Sequence, residues 1–305
     1  NNMSIRHFKS LLDINKKEFI RILDRSLELK KLSRQNQLPD SLSKMTLALI
    51  FKKNSTRTRV SLETAINKLG GNAVYISHLT SQIGRGESIT DTGKVLSGMV
   101  DFIAIRTHEH NELLELCEVS TIPVINALTQ KFHPCQLLAD MLTFYEEKGG
   151  FEDKTFSWVG DGCNMCHSYI NASKILGFNL KIATPNGFEP DISVLNSASD
   201  TVELCDLPGK AVENSDLVTT DVWASMGDEE DHERRKSLFK GYQINQNIMD
   251  KANDDAIFLH CLPAHRDEEV TTEVIDGKCS RVWEQSHNRL YTTQALLEFL
   301  KEVND

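Results

Sequence analysis

The feature that most constrains this chain is the stretch Met45-Thr46-Leu47-Ala48-Leu49-Ile50-Phe51. It is apolar almost throughout and is broken at once by the polar segment Lys52-Lys53-Asn54-Ser55-Thr56-Arg57-Thr58-Arg59. A strand wetted on one face alternates polar and apolar residues, whereas a continuous apolar run fits a parallel sheet covered on both faces. A helix follows and ends near Gly70-Gly71. The alternation then continues through AVYIS (73–77), DTGKVLSGM (91–99), FIAIR (102–106), ELLELC (112–117) and PVINAL (123–128), and a helix runs on from Pro134.

Gly149-Gly150 makes a natural break, after which the pattern starts again. TFSWVG (155–160) reads as a strand, residues 164–177 as a helix and NLKIATP (179–185) as a strand. AVENSDLVTTDV (211–222) and AIFLHCLP (256–263) supply further strand ends. Ahead of all this, Asp13 is a plausible N-cap for an amphipathic helix with Phe19, Ile22, Leu23, Ser26 and Leu27 on one face. The last helix, about 284–303, carries Leu290, Leu296, Leu297 and Leu300. The expected fold is α/β: two doubly wound parallel-sheet domains, 1–148 and 149–283, with the C-terminal helix (about 284–305) packing back on the first. A length of 305 residues agrees with two domains.

Composition removes several function classes. With 40% hydrophobic and 26% charged residues, the chain is globular and not disordered. No apolar run approaches the ~18 residues of a membrane span, and the start NNMSIRHFKSLLD lacks the apolar core of an export signal. The net charge of −10 argues against broad nucleic-acid binding. Seven scattered cysteines, an odd number, suit a reducing cytoplasm better than a disulfide framework.

One motif points elsewhere. Cys163-Asn164-Met165-Cys166-His167 has the C-x-x-C-H spacing of c-type haem attachment. It sits just past a strand end, where the helix begins, and that leaves no room to wrap a haem. A zinc reading of Cys163, Cys166 and His167 lacks a second Cys/His pair at finger spacing.

The polar segment after the first strand is more informative. A helix N-terminus offers backbone N–H groups and a positive dipole end, a ready anion site. Ser55, Thr56 and Thr58 add hydroxyls, and Arg57 and Arg59 add planar forks that match phosphate oxygens in pairs. The bland alternative is a Ser/Thr helix cap with solvated arginines. Arg106, closing the apolar FIAIR, needs an anionic partner. His133 before Pro134 could equally be a simple helix start. Asp221 can pair with an ammonium group and Ser225 can bond to it, while the turn Ser225-Met226-Gly227 suits a carboxylate.

S-T-R-T-R, Arg106, His133-Pro134-Cys135-Gln136, Asp221 to Gly227 and His260-Cys261-Leu262-Pro263 occur in an order that resembles the aspartate/ornithine carbamoyltransferase family. The similarity runs from about residue 5 to about 300. The segment DVWASMG, and H-C-L-P where the aspartate enzymes resemble H-P-L-P, narrow it to the ornithine branch, whose members serve arginine biosynthesis or arginine catabolism with the same site. Other amine acceptors, putrescine or acetylated ornithine, are the alternative.

The resemblance implies carbamoyl transfer from carbamoyl phosphate to ornithine Nδ, with no cofactor and no metal. It gives the phosphate to Ser55, Thr56, Arg57 and Thr58, and the carbonyl to Thr58, Arg106 and His133. Gln136 and the backbone around Cys261 and Leu262 would receive the carbamoyl NH2, with Arg289 joining from the last helix. Asn164, Asp221, Ser225 and Met226 would hold ornithine, with Cys261 and Asp221 near the attacking amine. Gln82, on a polar loop, would reach into a neighbouring subunit of a homotrimer. Two departures stand out: Cys163, where many relatives carry Asn, and His287, where Glu is frequent.

Overall fold

The computed structural model describes residues 4–225 and 228–305, which fall into two compact units. The first comprises Asn1–Leu142 and His287–Asp305, and the second Thr143–Ser286.

In the first unit, four parallel strands, β1 (Thr46–Phe51), β2 (Asn72–Ser77), β3 (Phe102–Arg106) and β4 (Val124–Leu128), lie in the order β2-β1-β3-β4. The chain steps outward from β1 to β2, then returns across β1 to β3, so the strand order reverses between β1 and β3. Helices α1 (Lys16–Arg34), α2 (Thr56–Lys68), α3 (Ile89–Ser97) and α4 (His110–Val119) flank the sheet, and α5 (Pro134–Lys148) begins here. Leu47 to Phe51 are all buried, as expected for a strand covered on both faces. Ile50, Ile103, Ile105 and Val124 pack with Leu113 and Leu116 of α4.

The first helix corrects one expectation. Its N-cap is Asn15, which accepts from Glu18 N–H while the Glu18 carboxylate takes the Asn15 N–H. Asp13 instead closes a short 3-10 turn over Ser10 and accepts the Lys9 N–H at 2.6 Å. The apolar face holds, with Phe19, Ile22, Leu23 and Ser26 buried and Leu27 half-buried. Within the same unit, α1 is tied to the chain's last helix by Arg25 on Glu298 at 2.6 Å and Lys30 on Asn288 at 2.9 Å.

The second unit is a five-stranded parallel sheet: β5 (Thr155–Val159), β6 (Asn179–Ala183), β7 (Val202–Leu204), β8 (Leu217–Thr220) and β9 (Ile257–His260), in the order β7-β6-β5-β8-β9. Here the order reverses between β5 and β8. Helices α6 (Asn164–Leu176), α7 (Ile192–Asn196), α8 (Pro208–Val212), α9 (His232–Leu238), α10 (Gln246–Met249), α11 (Thr272–Ile275) and α12 (Val282–Asn304) complete the chain. The strand end expected within 211–222 is that of Leu217–Thr220, and ahead of it Pro208 starts a short helix that takes Ala211 and Val212. Among the described residues, no helix is long and apolar enough to cross a membrane.

Candidate active site

In an open parallel sheet, two loops diverge above the carboxyl ends of strands where the strand order reverses, and ligands bind in that crevice. Both units place their polar motifs there. In the first unit Ser55–Thr58 follows β1 and Arg106 ends β3. In the second, Asp161–Asn164 follows β5 and Asp221 follows β8, with Cys261 one strand further on at the end of β9.

In the first unit, Ser55 caps α2 and its Oγ accepts the Thr58 N–H at 3.3 Å. The cap reading is therefore correct as far as it goes, and the hydroxyl proton is left to donate. Thr56 and Arg57 are exposed on the first turn, while Thr58 is buried. Thr58 Oγ1 accepts from Arg106 Nη1 at 3.5 Å and from Arg289 Nη2 at 3.4 Å. Two guanidinium groups from β3 and α12 thus converge on one hydroxyl at a helix N-terminus, a concentration of positive charge suited to a dianion.

His133 immediately precedes α5 and is buried. Burial, then Arg289 and Arg106, hold its pKa well below the usual histidine value, so the ring is neutral near neutral pH. A neutral imidazole beside two arginines polarises a carbonyl as an N–H donor and does not act as a cationic acid. One turn along, Gln136 Nε2 donates to Asp140 at 3.0 Å, and Gln136 Oε1 is buried with no hydrogen-bond partner among the described residues. Such an oxygen is poised to accept from an NH2 group.

Arg59 departs from its expected part. It lies 3.6 Å over the Tyr75 ring and pairs with Glu63 at 3.1 Å, so it braces α2 against β2. Gln82 stands exposed at the head of a short 3-10 turn, Ile83–Arg85.

In the second unit, Asp221 is buried and carries a sulfur on each oxygen. Cys261 Sγ lies 3.4 Å from Oδ1, which also accepts the Val222 N–H at 2.8 Å, and Cys163 Sγ lies 3.8 Å from Oδ2. Burial raises the Asp221 pKa, partly offset by His260 and then by the Val222 N–H. The Cys163 thiol is pushed well above its usual value by burial and then by Asp221 and Asp161, so it stays protonated as a weak donor. A buried carboxylate with such weak partners has much to gain from a cation.

Asn164 opens α6 and is buried. The turn before it depends on Gly162, where any Cβ would overlap the backbone of Phe188, Glu189 and Pro190. Cys166 is fully buried, and His167 Nε2 accepts the Asp191 N–H at 3.0 Å, so this part of the C-x-x-C-H motif serves packing. Met226 lies outside the described residues. Its neighbour Ser225 bonds to Asp161 Oδ2 at 3.1 Å.

Sequence reasoning missed the groups that hold these side chains. His260, fully buried, accepts the Leu262 N–H on Nδ1 at 2.8 Å, which leaves its proton on Nε2 for Glu269 Oε1 at 2.8 Å. This pair, with the His260 N–H on Gln285 at 3.0 Å, shapes the turn in which Leu262 adopts φ +62°. Arg235 pairs with Asp161 at 3.1 Å and Asp228 at 3.3 Å and donates to the Trp223 carbonyl at 2.8 Å, holding the segment that carries Ser225. Burial nevertheless lifts Asp161 to about 6, against the opposing pull of Arg235 and Ser225.

Comparison with known proteins agrees with this arrangement. Residues 6–146 match the family model "Aspartate/ornithine carbamoyltransferase, carbamoyl-P binding domain", and residues 152–300 match the companion "Asp/Orn binding domain". The chain is 50% identical to the ornithine carbamoyltransferase of Hydrogenovibrio crunogenus over 98% of this chain and 99% of that one. Among solved structures it is similar to the ornithine carbamoyltransferase of Burkholderia thailandensis (43% identity, TM-score 0.91, covering 97% of this chain and 98% of that one). It is also similar to the anabolic enzyme of Campylobacter jejuni (38% identity, TM-score 0.92, covering 98% and 100%). The chain belongs to the aspartate/ornithine carbamoyltransferase family.

Proposed function

We infer that the chain transfers the carbamoyl group of carbamoyl phosphate to Nδ of L-ornithine, giving L-citrulline and phosphate through a tetrahedral intermediate. The observation that carries this reading is the convergence of Arg106 and Arg289 on Thr58 at the N-terminus of α2, beside a neutral His133. Carbamoyl phosphate is a dianionic mixed anhydride. Its leaving phosphate must be neutralised and its developing oxyanion met by fixed donors.

The roles proposed for single residues are those the family resemblance implies, and this chemistry is consistent with them. Ser55, Thr56, Arg57 and Thr58 hold the phosphate, Arg289 supports it, and Thr58, Arg106 and His133 polarise the carbonyl. Gln136 Oε1 and the carbonyls around Cys261 and Leu262 receive the carbamoyl NH2. Asp221, supported by Asn164 and Ser225, pairs with ornithine; Met226 offers backbone N–H to its carboxylate, and Cys261 orients the attacking amine. Thr58→Val keeps the shape and removes the shared oxygen, so kcat/KM for carbamoyl phosphate should fall by about 10²–10³. A loss under about threefold would refute the assignment.

We also assign a homotrimer with Gln82 reaching a neighbour's site. The first unit leaves Val60, Val74, Leu79, Val95 and Met99 exposed along α2, the edge strand β2 and α3, apolar surface of the kind that an interface covers. Mixing a Gln82→Ala variant with an Arg57→Ala variant should restore activity, and no recovery at all would sink the shared site. All seven cysteines are free thiols, which supports a cytoplasmic location.

A further inference from the structure

We propose that His232, His265 and Glu268 form a binding site for a zinc-like divalent transition-metal cation on the second unit, separate from the residues assigned to the substrates. His232 is the first residue of α9, while His265 and Glu268 lie in the turn that follows Pro263. His232 Nε2 lies 3.2 Å and His265 Nδ1 3.1 Å from the same carboxylate oxygen, Glu268 Oε2, and all three ligand atoms fall within 4.8 Å of one another. Tetrahedral zinc with bonds of about 2.0–2.1 Å spaces its ligands about 3.3 Å apart. Both histidine-to-carboxylate distances therefore already match a tetrahedral edge, the two histidines lie within 4.8 Å of each other, and three protein ligands leave a fourth position to water.

The backbone of the site is built independently of any ion. The turn is closed by the Glu268 N–H on the His265 carbonyl at 2.9 Å, and Gln243 Nε2 holds the Glu268 carbonyl at 2.9 Å. The His265 N–H rests on Glu269 Oε1 at 2.9 Å, the oxygen that also takes His260. On the other side, Arg235 anchors α9 through Asp161 and the Trp223 carbonyl. A cation would thus find its ligands placed by neighbours with other work to do.

The competing reading is a set of solvated ion pairs. Lys236 Nζ lies 3.5 Å from Glu268 Oε1 and Glu233 lies 3.9 Å from His232 Nδ1. Lys236 is exposed and sits on the other carboxylate oxygen, so it can swing into solvent without disturbing Oε2. Two imidazoles and one carboxylate favour zinc, cobalt, nickel or copper over magnesium or calcium.

Asp221, His260 and Cys261 also bring three donor atoms together, so the test must separate the two clusters. Co(II) is titrated into the full chain carrying Cys261→Ser, with visible and near-ultraviolet absorbance recorded. One Co(II) per chain should bind, giving the strong visible bands of low coordination number and no thiolate-to-cobalt band. His232→Ala and His265→Ala, added singly, should each weaken Kd by at least about 10-fold. Their metal-free melting temperatures should match the parent, and millimolar Mg2+ should not displace cobalt. Affinity unchanged by either histidine substitution, loss of all binding with Cys261→Ser alone, or displacement by Mg2+ would overturn the proposal.

Discussion

Asp221→Asn separates the cost of this site from its use. The Asp221 carboxylate is buried, its pKa is raised by that burial, and its bonds are one backbone N–H and two thiols. Asparagine fits the same space. Its amide oxygen can take the Oδ1 place, accepting the Val222 N–H and facing Cys261, while its NH2 faces the Cys163 sulfur. The folded protein no longer has to bury a charge, so without substrate the variant should melt at or above the parent temperature. Ornithine loses a charged partner for its ammonium group. A hydrogen bond to a charged group contributes about 1.5–3 kcal/mol, and 1.36 kcal/mol is tenfold, so Kd for ornithine should rise by about 10- to 150-fold. Calorimetric titration of each substrate, with a thermal melt of the free protein, reads all three quantities. Carbamoyl phosphate affinity should stay within about twofold, because its assigned anion contacts lie in the first unit. A change in ornithine affinity under about threefold would refute the pairing; an equal loss for both substrates would point to a general collapse.

Three further outcomes follow from named contacts. Cys163→Asn replaces a weak S–H donor on Asp221 with an N–H donor, a gain of about 1 kcal/mol for the ionised form. Titration of ornithine should show affinity altered by about fivefold, and an unchanged Kd would remove Cys163 from the site. Glu269→Ala leaves the His260 Nε2–H and the His265 N–H without their shared acceptor and should cost about 1.5–3 kcal/mol in denaturant unfolding; under about 0.5 kcal/mol would contradict the pair. Asp161 titrates near 6 in the fold, above the model-peptide value of about 3.9, so the folded state binds the extra proton and stability contributed by protonation is lost as pH rises from about 4 to about 6. The melting temperature of Asp161→Asn relative to the parent should therefore climb across that window, and a gap that stays constant would show that Asp161 is not raised.

How much of this was legible depended on whether a residue's environment is fixed locally. Strands β1, β3 and β5 could be read because they are buried on both faces and their apolar runs admit no other placement. Strand β7 could not: it is three residues long, and Glu203 and Leu204 are exposed. Ser55 was readable as a cap because capping is local, and the choice of Asn15 over Asp13 turns on a reciprocal bond with Glu18, three residues on, where Asp13 has only Lys16 at that spacing. Arg59 and Arg57 look alike in sequence, and only the Tyr75 ring of a neighbouring strand separates them. Glu269 and Arg235 lie among charged residues and read as solvated. Glu269 is fully buried against His260 in the same turn region, and Arg235 is drawn onto Asp161 from a distant segment. A signal did exist for Glu269: a histidine ending the buried strand Ile257–His260 must find a partner for its ring.

The reaction assigned to the chain is transfer of a carbamoyl group from a phosphate dianion to an amino acid with a side-chain amine. The most direct test is citrulline formation from carbamoyl phosphate and L-ornithine by the purified chain, with aspartate, putrescine and N-acetylornithine run in parallel. Turnover with ornithine should stand at least about 100-fold above any of the other three in kcat/KM, as expected when a buried polar partner is left unpaired by the wrong substrate. Turnover of one of those three in preference to ornithine would contradict that assignment.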